Sequence, residues 1–345
     1  MPGMRDVARH AKVALSTVSA VLSNSDKYVS DDVRKQVYAA AKDLGYIFTE
    51  KKRSSQKTIA VVLPIITSSF FSNVLTGIED TISKDKNYLL FFNSNYSFEK
   101  EQMLLKTLHK QFLTGVIVDS ICPSDLESNY YSWLEKEFIS KNIPVLILER
   151  KLESEKFYTI YLDNFTSAQK ATQHLIDLGH KKIAHILGNS HMQHSFERLE
   201  GYKHALIENG IPIDPELIQQ GDFTAASGYL ATRKLLDIRR DFTAIFSAND
   251  QMAIGAIKAL RANGKNIPKD CAIVGFDNLS ISTLIDPALS TINVPTFLMG
   301  RMAARIIMET SSGGSYPHSN KLDSNLIIRR SSDINAINEW DLIGW

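Results

Sequence analysis

Residues 59–64 read IAVVLP, residues 115–120 GVIVDS and residues 145–150 VLILER. Each is a short, unbroken apolar run that ends on a proline, polar or charged residue, the pattern of a strand buried on both faces. YLLFFN (88–93) is a further run of the kind, and the stretches around 72–84, 100–111 and 131–140 have apolar residues at helical spacing. Strands alternating with helices predict a parallel sheet joined by right-handed crossovers. The pattern then restarts. IAHILG (183–188) resembles IAVVLP, AIFSAND (244–250) resembles GVIVDS, and CAIVGFD (271–277) resembles VLILER. Two similar α/β halves in tandem predict two lobes with a cleft between them. Ligands of open parallel sheets sit beyond the carboxyl ends of the strands. Here those ends carry Asp119, Glu149, Asn249 and Asp277.

The segment ahead of the sheets follows another rule. Val7, Ala8 and Ala11 mark one short helix over 5–12, and Val18, Val21 and Leu22 a second over 15–22. Val33, Val37, Ala40, Ala41 and Leu44 mark a third over 31–44, with Ser30 as its expected N-cap, Asp31 and Asp32 at its positive end and Gly45 closing it. Two short helices joined by a tight turn can set the second in the major groove, its first residues against base edges. Leu15, Ser16, Thr17, Ser19 and Ala20 occupy those places. An ordinary helical hairpin with a serine-rich outer face fits the spacing equally well. Residues 1–57 hold eleven Lys or Arg against six Asp or Glu, a balance of +5 in a chain of net charge +1. Such a basic unit on a mildly acidic body suits a phosphate-facing role.

Composition bounds the remaining classes. With 345 residues and 44% hydrophobic content, the chain suits two or three folded units. It has no apolar run long enough for a membrane span, and MPGMRDVARHAK lacks the apolar core of a signal peptide, so a cytoplasmic location is expected. Cys122 and Cys271 are expected to be free, buried thiols. His191 and His194 have H-x-x-H spacing without a supporting Cys/His cluster, so no metal is expected. A nucleophile elbow and a phosphate-binding glycine loop are both missing, which predicts no enzyme and no cofactor.

The strings RDVARHAKVALSTVSAVLSN and YVSDDVRKQVYAAAKDLGY resemble the headpiece of the lactose/galactose repressor family. The resemblance runs on through SSFFSNVLTGIED, HLIDLGHKKIAHILGN, ERLEGYKHAL, GDFTAASGY, AIFSANDQMAIGAIKAL, IPKDCAIVGFDN and LSTINVPTFLMGRMAA. It implies an all-α three-helix, helix-turn-helix headpiece plus an α/β two-lobed sensor similar to periplasmic sugar-binding proteins. The implied division is a headpiece at 1–48, a shortened basic hinge at 49–58, a first lobe at 59–162 and 293–325, and a second lobe at 163–292 and 326–345. The implied function is a homodimeric repressor that binds double-stranded operator DNA under control of a small sugar. The competing readings are a solute-binding protein and a regulator that uses a protein corepressor.

The chain departs from the family pattern at several places. Lys12 stands where the family has Gly in the helix-helix turn, and Ala14 where it has a capping Ser, a loss of about 0.5–2 kcal/mol. Ala20 replaces an Arg that reads guanine, so an unusual operator is expected. The hinge lacks the family's Pro-Asn and its minor-groove Leu, which leaves Lys51, Lys52 and Arg53 as candidate phosphate contacts, beside Tyr28 upstream. Family effector positions carry over to Ser68, Phe70, Phe71, Arg198 and Phe223, and to the strand-end residues Asp119, Glu149, Asn249 and Asp277. His194 joins them as a pocket-lining donor. Asp163 and Asn164 are expected to organise the joint between lobes, and Val294 takes the place of a polar Gln.

Overall fold

A computed structural model describes residues 2–22, 29–46, 58–83, 87–108, 110–189, 192–238 and 241–337. The chain forms two compact units that divide between residues 56 and 57. In the first, helices α1 (Met4–His10), α2 (Leu15–Leu22) and α3 (Asp31–Asp43) enclose a core of Val7, Ala11, Val18, Val21, Val37 and Ala41. Lys12 in the α1–α2 turn has φ of 50°, the left-handed conformation that explains why a glycine suits this place. The Ala14 carbonyl accepts the Thr17 and Val18 N–H groups at the start of α2, and its methyl offers no cap. Ser30 sits at the N-cap of α3, but its hydroxyl makes no capping bond; the two aspartates that follow supply the negative charge at that end. Gly45, at φ 60°, turns the chain out of α3.

The second unit holds two six-stranded sheets. The first contains β1 (Thr58–Leu63), β2 (Tyr88–Asn93), β3 (Leu113–Val118), β4 (Val145–Leu148), β5 (Tyr158–Leu162) and the late strand β11 (Ser319–Leu322). Their order is β11-β5-β4-β3-β1-β2, with every pair parallel. Helices α4 (Ser69–Ile82) and α12 (Thr296–Ser311) pack together on one face through Val74, Ile78, Met299 and Ala303. The other face buries Leu105 of α5 (Phe98–Thr107) and Tyr130 and Leu134 of α6 (Glu127–Glu137).

The second sheet contains β6 (Ile183–Leu187), β7 (Ile218–Gln220), β8 (Ala244–Ser247), β9 (Ala272–Asp277), β10 (Ser290–Asn293) and β12 (Asn325–Ile327). The order β12-β10-β9-β8-β6-β7 repeats that of the first sheet, with β12 antiparallel to β10. Helices α7 (Asn164–Asp177) and α8 (Gln193–Glu208) cover one face, and α9 (Ala225–Ile238) and α10 (Asp250–Ala262) the other, while the short α11 (Ile281–Leu284) links β9 to β10. The chain crosses between sheets at 162–164, 293–296 and 322–325. Asn293 and Asn325 face each other across β10 and β12, so both belong to the second sheet, one residue away from the boundaries expected from sequence. Thr58, expected in the hinge, is the first residue of β1. Cys122 and Cys271 are free and buried, and among the described residues no cluster of ligating side chains could hold a metal and no helix is long and apolar enough to cross a membrane.

Candidate functional site

At the start of α2, Leu15, Ser16 and Ser19 are exposed and Thr17 is half-buried, so three polar side chains and one leucine project along one exposed surface of a short helix. Ala20 corrects the sequence expectation. It is only 6% exposed, its methyl covered by neighbouring residues, and it has no group to offer a base. Tyr28, Lys51, Lys52 and Arg53 lie outside the described residues, as does His191.

The second candidate is a cavity between the two lobes. It encloses about 640 Å³ of non-protein space, solvent at its mouth included. All ten side chains proposed from sequence line it. From the first lobe come Ser68, Phe70, Phe71, Asp119 and Glu149; from the second come His194, Arg198, Phe223, Asn249 and Asp277. Ser68 is the N-cap of α4, its hydroxyl accepting the Phe70 N–H, and this turn aims the next residues into the cleft. Phe70 and Phe71 meet edge to face at 5.0 Å, and both line the cavity while packing into the core of the lobe.

Parallel strands place their carboxyl ends on one edge, which is why Asp119, Glu149, Asn249 and Asp277 converge. Asn249 caps α10 through the Met252 N–H at 2.9 Å and donates to the Phe223 carbonyl at 3.0 Å. That bond ties down the loop in which Phe223 adopts φ of 70°. The Phe223 ring lies over Gly188 at the end of β6, where any Cβ would fall 2.1 Å from the ring. His194 packs against the same ring, centroids 5.4 Å apart.

Arg198 organises the second lobe's side of the cleft. Its Nε donates to Asn164 Oδ1 at 2.9 Å, its Nη1 to the Ala248 carbonyl at 2.6 Å, and its guanidinium stacks 3.6 Å over the Phe276 ring. Glu149 Oε2 and Asp277 Oδ1 stand 4.0 and 3.9 Å away, ion pairs without direct hydrogen bonds. Burial raises the carboxyl pKa of Glu149 to about 7, with Arg198 pulling the other way. Burial also holds Asp119 and Asp277 well above the usual carboxylate range; Glu149 adds to the rise at Asp119, and Asp250 and Glu149 add to it at Asp277 against the pull of Arg198. His194 is driven well below its ordinary value by burial and by Arg198, so it is neutral at physiological pH.

Asn164 links the joint to the site: it accepts from Arg198 and donates to Glu197 Oε2 at 3.3 Å. Asp163 caps α7 and pairs with Lys321 at 2.8 Å. Val294 is buried in the core and does not line the cavity. Sequence reading missed Tyr96, Met192, Asp222, Thr224 and Gln251, which complete the wall together with Pro64, Ile65 and Thr67. Tyr96 follows Asn95 in a left-handed pair at φ 54° and 53°, a turn that swings its ring from the end of β2 into the cleft. An Asn-rich string after an apolar run, NSNY at 93–96, was the available signal, since Asn tolerates this conformation.

Comparison with known proteins matches both units of the chain. Residues 3–48 match the family of bacterial regulatory proteins, lacI family, and residues 172–332 match a periplasmic binding protein-like domain. The HTH-type transcriptional repressor CytR of Escherichia coli (strain K12) is 34% identical over 336 residues, spanning 95% of this chain and 96% of that one. The structure of a transcriptional regulator CelR-cellobiose complex superposes with a TM-score of 0.72 at 32% identity, covering 96% of this chain and all of the other. The lac repressor dimer bound to operator and the anti-inducer ONPF gives 0.72 at 25% identity, over 96% and 99% of the two chains.

Proposed function

The chain belongs to the lacI family of bacterial regulatory proteins, and on that premise we propose that it is a dimeric repressor whose operator affinity is set by a small sugar bound between the two lobes. The observation that carries this reading is the convergence of ten family-like effector positions on one interlobe cavity, in a chain that begins with a helix-turn-helix unit. Leu15, Ser16, Thr17 and Ser19 meet base edges and phosphates in the major groove. In the cleft, carboxylates and Asn249 take the hydroxyls of the sugar, Arg198 donates to a ring or glycosidic oxygen, and Phe70 and Phe223 cover its C–H faces. Ligand that spans both lobes favours their closed arrangement, and its effect on DNA affinity equals its difference in affinity for the DNA-bound and free states. Exposed Tyr88, Leu90 and Phe91 on edge strand β2 give the first lobe an apolar face suited to a second subunit.

Thermal shift of the purified chain against a panel of neutral mono- and disaccharides, with and without an operator duplex, tests this. A sugar that raises the melting temperature and changes duplex affinity is the expected result. A panel with no stabiliser, or a stabiliser without effect on duplex binding, counts against it.

A further inference from the structure

The cleft is rich in hydrogen-bond acceptors that the protein leaves unfilled. Asp119, Glu149 and Asp277 are 3%, 6% and 7% exposed. Glu149 Oε1 is fully enclosed and has no hydrogen-bond partner among the described residues. Among the described residues the Asp277 carboxylate has only its distant pairing with Arg198. Asp222 adds a fourth carboxylate at the wall. Against these, Arg198 is the one Lys or Arg among the described lining residues, and two of its nitrogens are already committed to Asn164 and the Ala248 carbonyl. Arg150, the other buried guanidinium nearby, does not line the cavity; Glu127 Oε1 holds it at 2.6 Å together with the Cys122 carbonyl. A ligand entering this space meets lone pairs on both lobes, and above pH 7 it also meets negative charge on both, from Glu149 on the first and Asp222 on the second.

We propose, building on the effector reading of this cleft, that it is a charge filter: it accepts hydroxyl-rich ligands that carry no negative group and rejects the phosphorylated or carboxylated form of the same sugar. Ligand hydroxyls donate to the three buried carboxylates and complete the acceptors that the fold leaves open. A phosphate or uronate oxygen offers no proton to those open acceptors, and at pH 8 its charge faces ionised Glu149 and Asp222 on two sides of the cleft with one partly engaged guanidinium to offset it.

The test has two arms. In the first, melting temperature and calorimetric affinity of the full chain are measured with ribose, glucose and cellobiose. The anionic partners are ribose 5-phosphate, glucose 6-phosphate, glucuronate and inorganic phosphate at matched ionic strength. At pH 8, ribose or glucose, where it binds, is expected to bind about 100-fold or more tightly than its own anionic partners, and no anion in the panel is expected to match cellobiose. An anionic probe that binds as tightly as its neutral partner, and loses that binding in Arg198→Met, overturns the proposal.

The second arm needs no ligand. The charged groups that act on Glu149 are Arg198, Glu197, Asp119 and Asp277. The folded-state carboxyl of Glu149, raised to about 7, is ionised at pH 8 and protonated at pH 5.5. Glu149→Gln is expected to raise the melting temperature of the free protein at pH 8, with a smaller gain at pH 5.5, and Asp119→Asn repeats the measurement independently. If both variants melt lower than the parent at pH 8, the cavity carries no surplus of negative charge and the proposal fails. If the variants behave as expected while no neutral sugar alters melting or duplex binding, the sugar-effector reading fails and the exclusion of anions stands.

Discussion

Replacing Arg198 with methionine removes the guanidinium while keeping much of the length of the side chain. The perturbation leaves Asn164 Oδ1 and the Ala248 carbonyl without their donor and strips the Phe276 ring of its cation. It also leaves Glu149 and Asp277 facing each other with no positive charge between them. Each charge-assisted hydrogen bond contributes about 1.5–3 kcal/mol and the stacking about 1–2 kcal/mol, but these terms overlap. Deleting one partner of a buried ionic group costs about 3–5 kcal/mol, so a loss of about 4 kcal/mol at pH 8 is expected. At roughly 2–4 °C per kcal/mol for domains of this size, that is a fall of about 8–16 °C in melting temperature. The sign of the pH dependence follows from the carboxylates. Their folded pKa values lie above the unfolded ones, so they favour the folded state at low pH and lose that contribution as pH rises through the folded value. Without Arg198 the Glu149 and Asp277 values move up further. Urea unfolding at pH 8 and pH 5.5 should therefore show a wide gap between variant and parent at pH 8 and a narrower one at pH 5.5. A variant within about 1 kcal/mol of the parent at pH 8, or a gap independent of pH, refutes the reasoning.

Four further substitutions probe other parts of the molecule. Lys12→Gly relieves a left-handed lysine in the α1–α2 turn and should stabilise the headpiece by about 0.5–1 kcal/mol, read by helical circular dichroism during thermal melting. Gly188→Ala drives a methyl into the Phe223 ring, which must swing into the cleft; effector Kd should rise about tenfold, measured by calorimetry, while the fold persists. Ser16→Ala and Thr17→Ala should each weaken operator binding by about 1–2 kcal/mol without changing the melting temperature, as followed by fluorescence anisotropy. The same titrations in increasing salt should give a linear loss of log affinity, with a slope near −0.9 for each phosphate contacted.

The strand ends were legible in the sequence because one physical rule governs them. A run such as GVIVDS must be buried on both faces, so its polar terminus is the first residue free to meet a ligand, and Asp119, Glu149, Asn249 and Asp277 all lie there. Arg198, on α8, came from resemblance and not from pattern, since nothing in the helical spacing of FERLEGY says that Asn164 and Phe276 will hold it. Tyr96 and Asp222 escaped notice because loop conformation decides their direction: two left-handed residues in succession turn Tyr96 inward, and Asp222 is fixed by Thr224 and Ser227. Ala20 was placed by its position in a recognition helix, yet a single methyl is covered by its surroundings where a longer side chain would emerge. Ser30 likewise had the composition of a cap, and its rotamer leaves the capping bond unmade.

The central claim is that a ligand held between the lobes governs how tightly α2 reads DNA. Selection of duplexes from a random library, followed by anisotropy of the winning duplex with free protein and with protein saturated by its stabilising sugar, tests it most directly. The account predicts a winner with two related half-sites and a change of at least about tenfold in Kd on adding the sugar. No enrichment over random duplex, or a Kd that is the same with the cleft empty and filled, contradicts it.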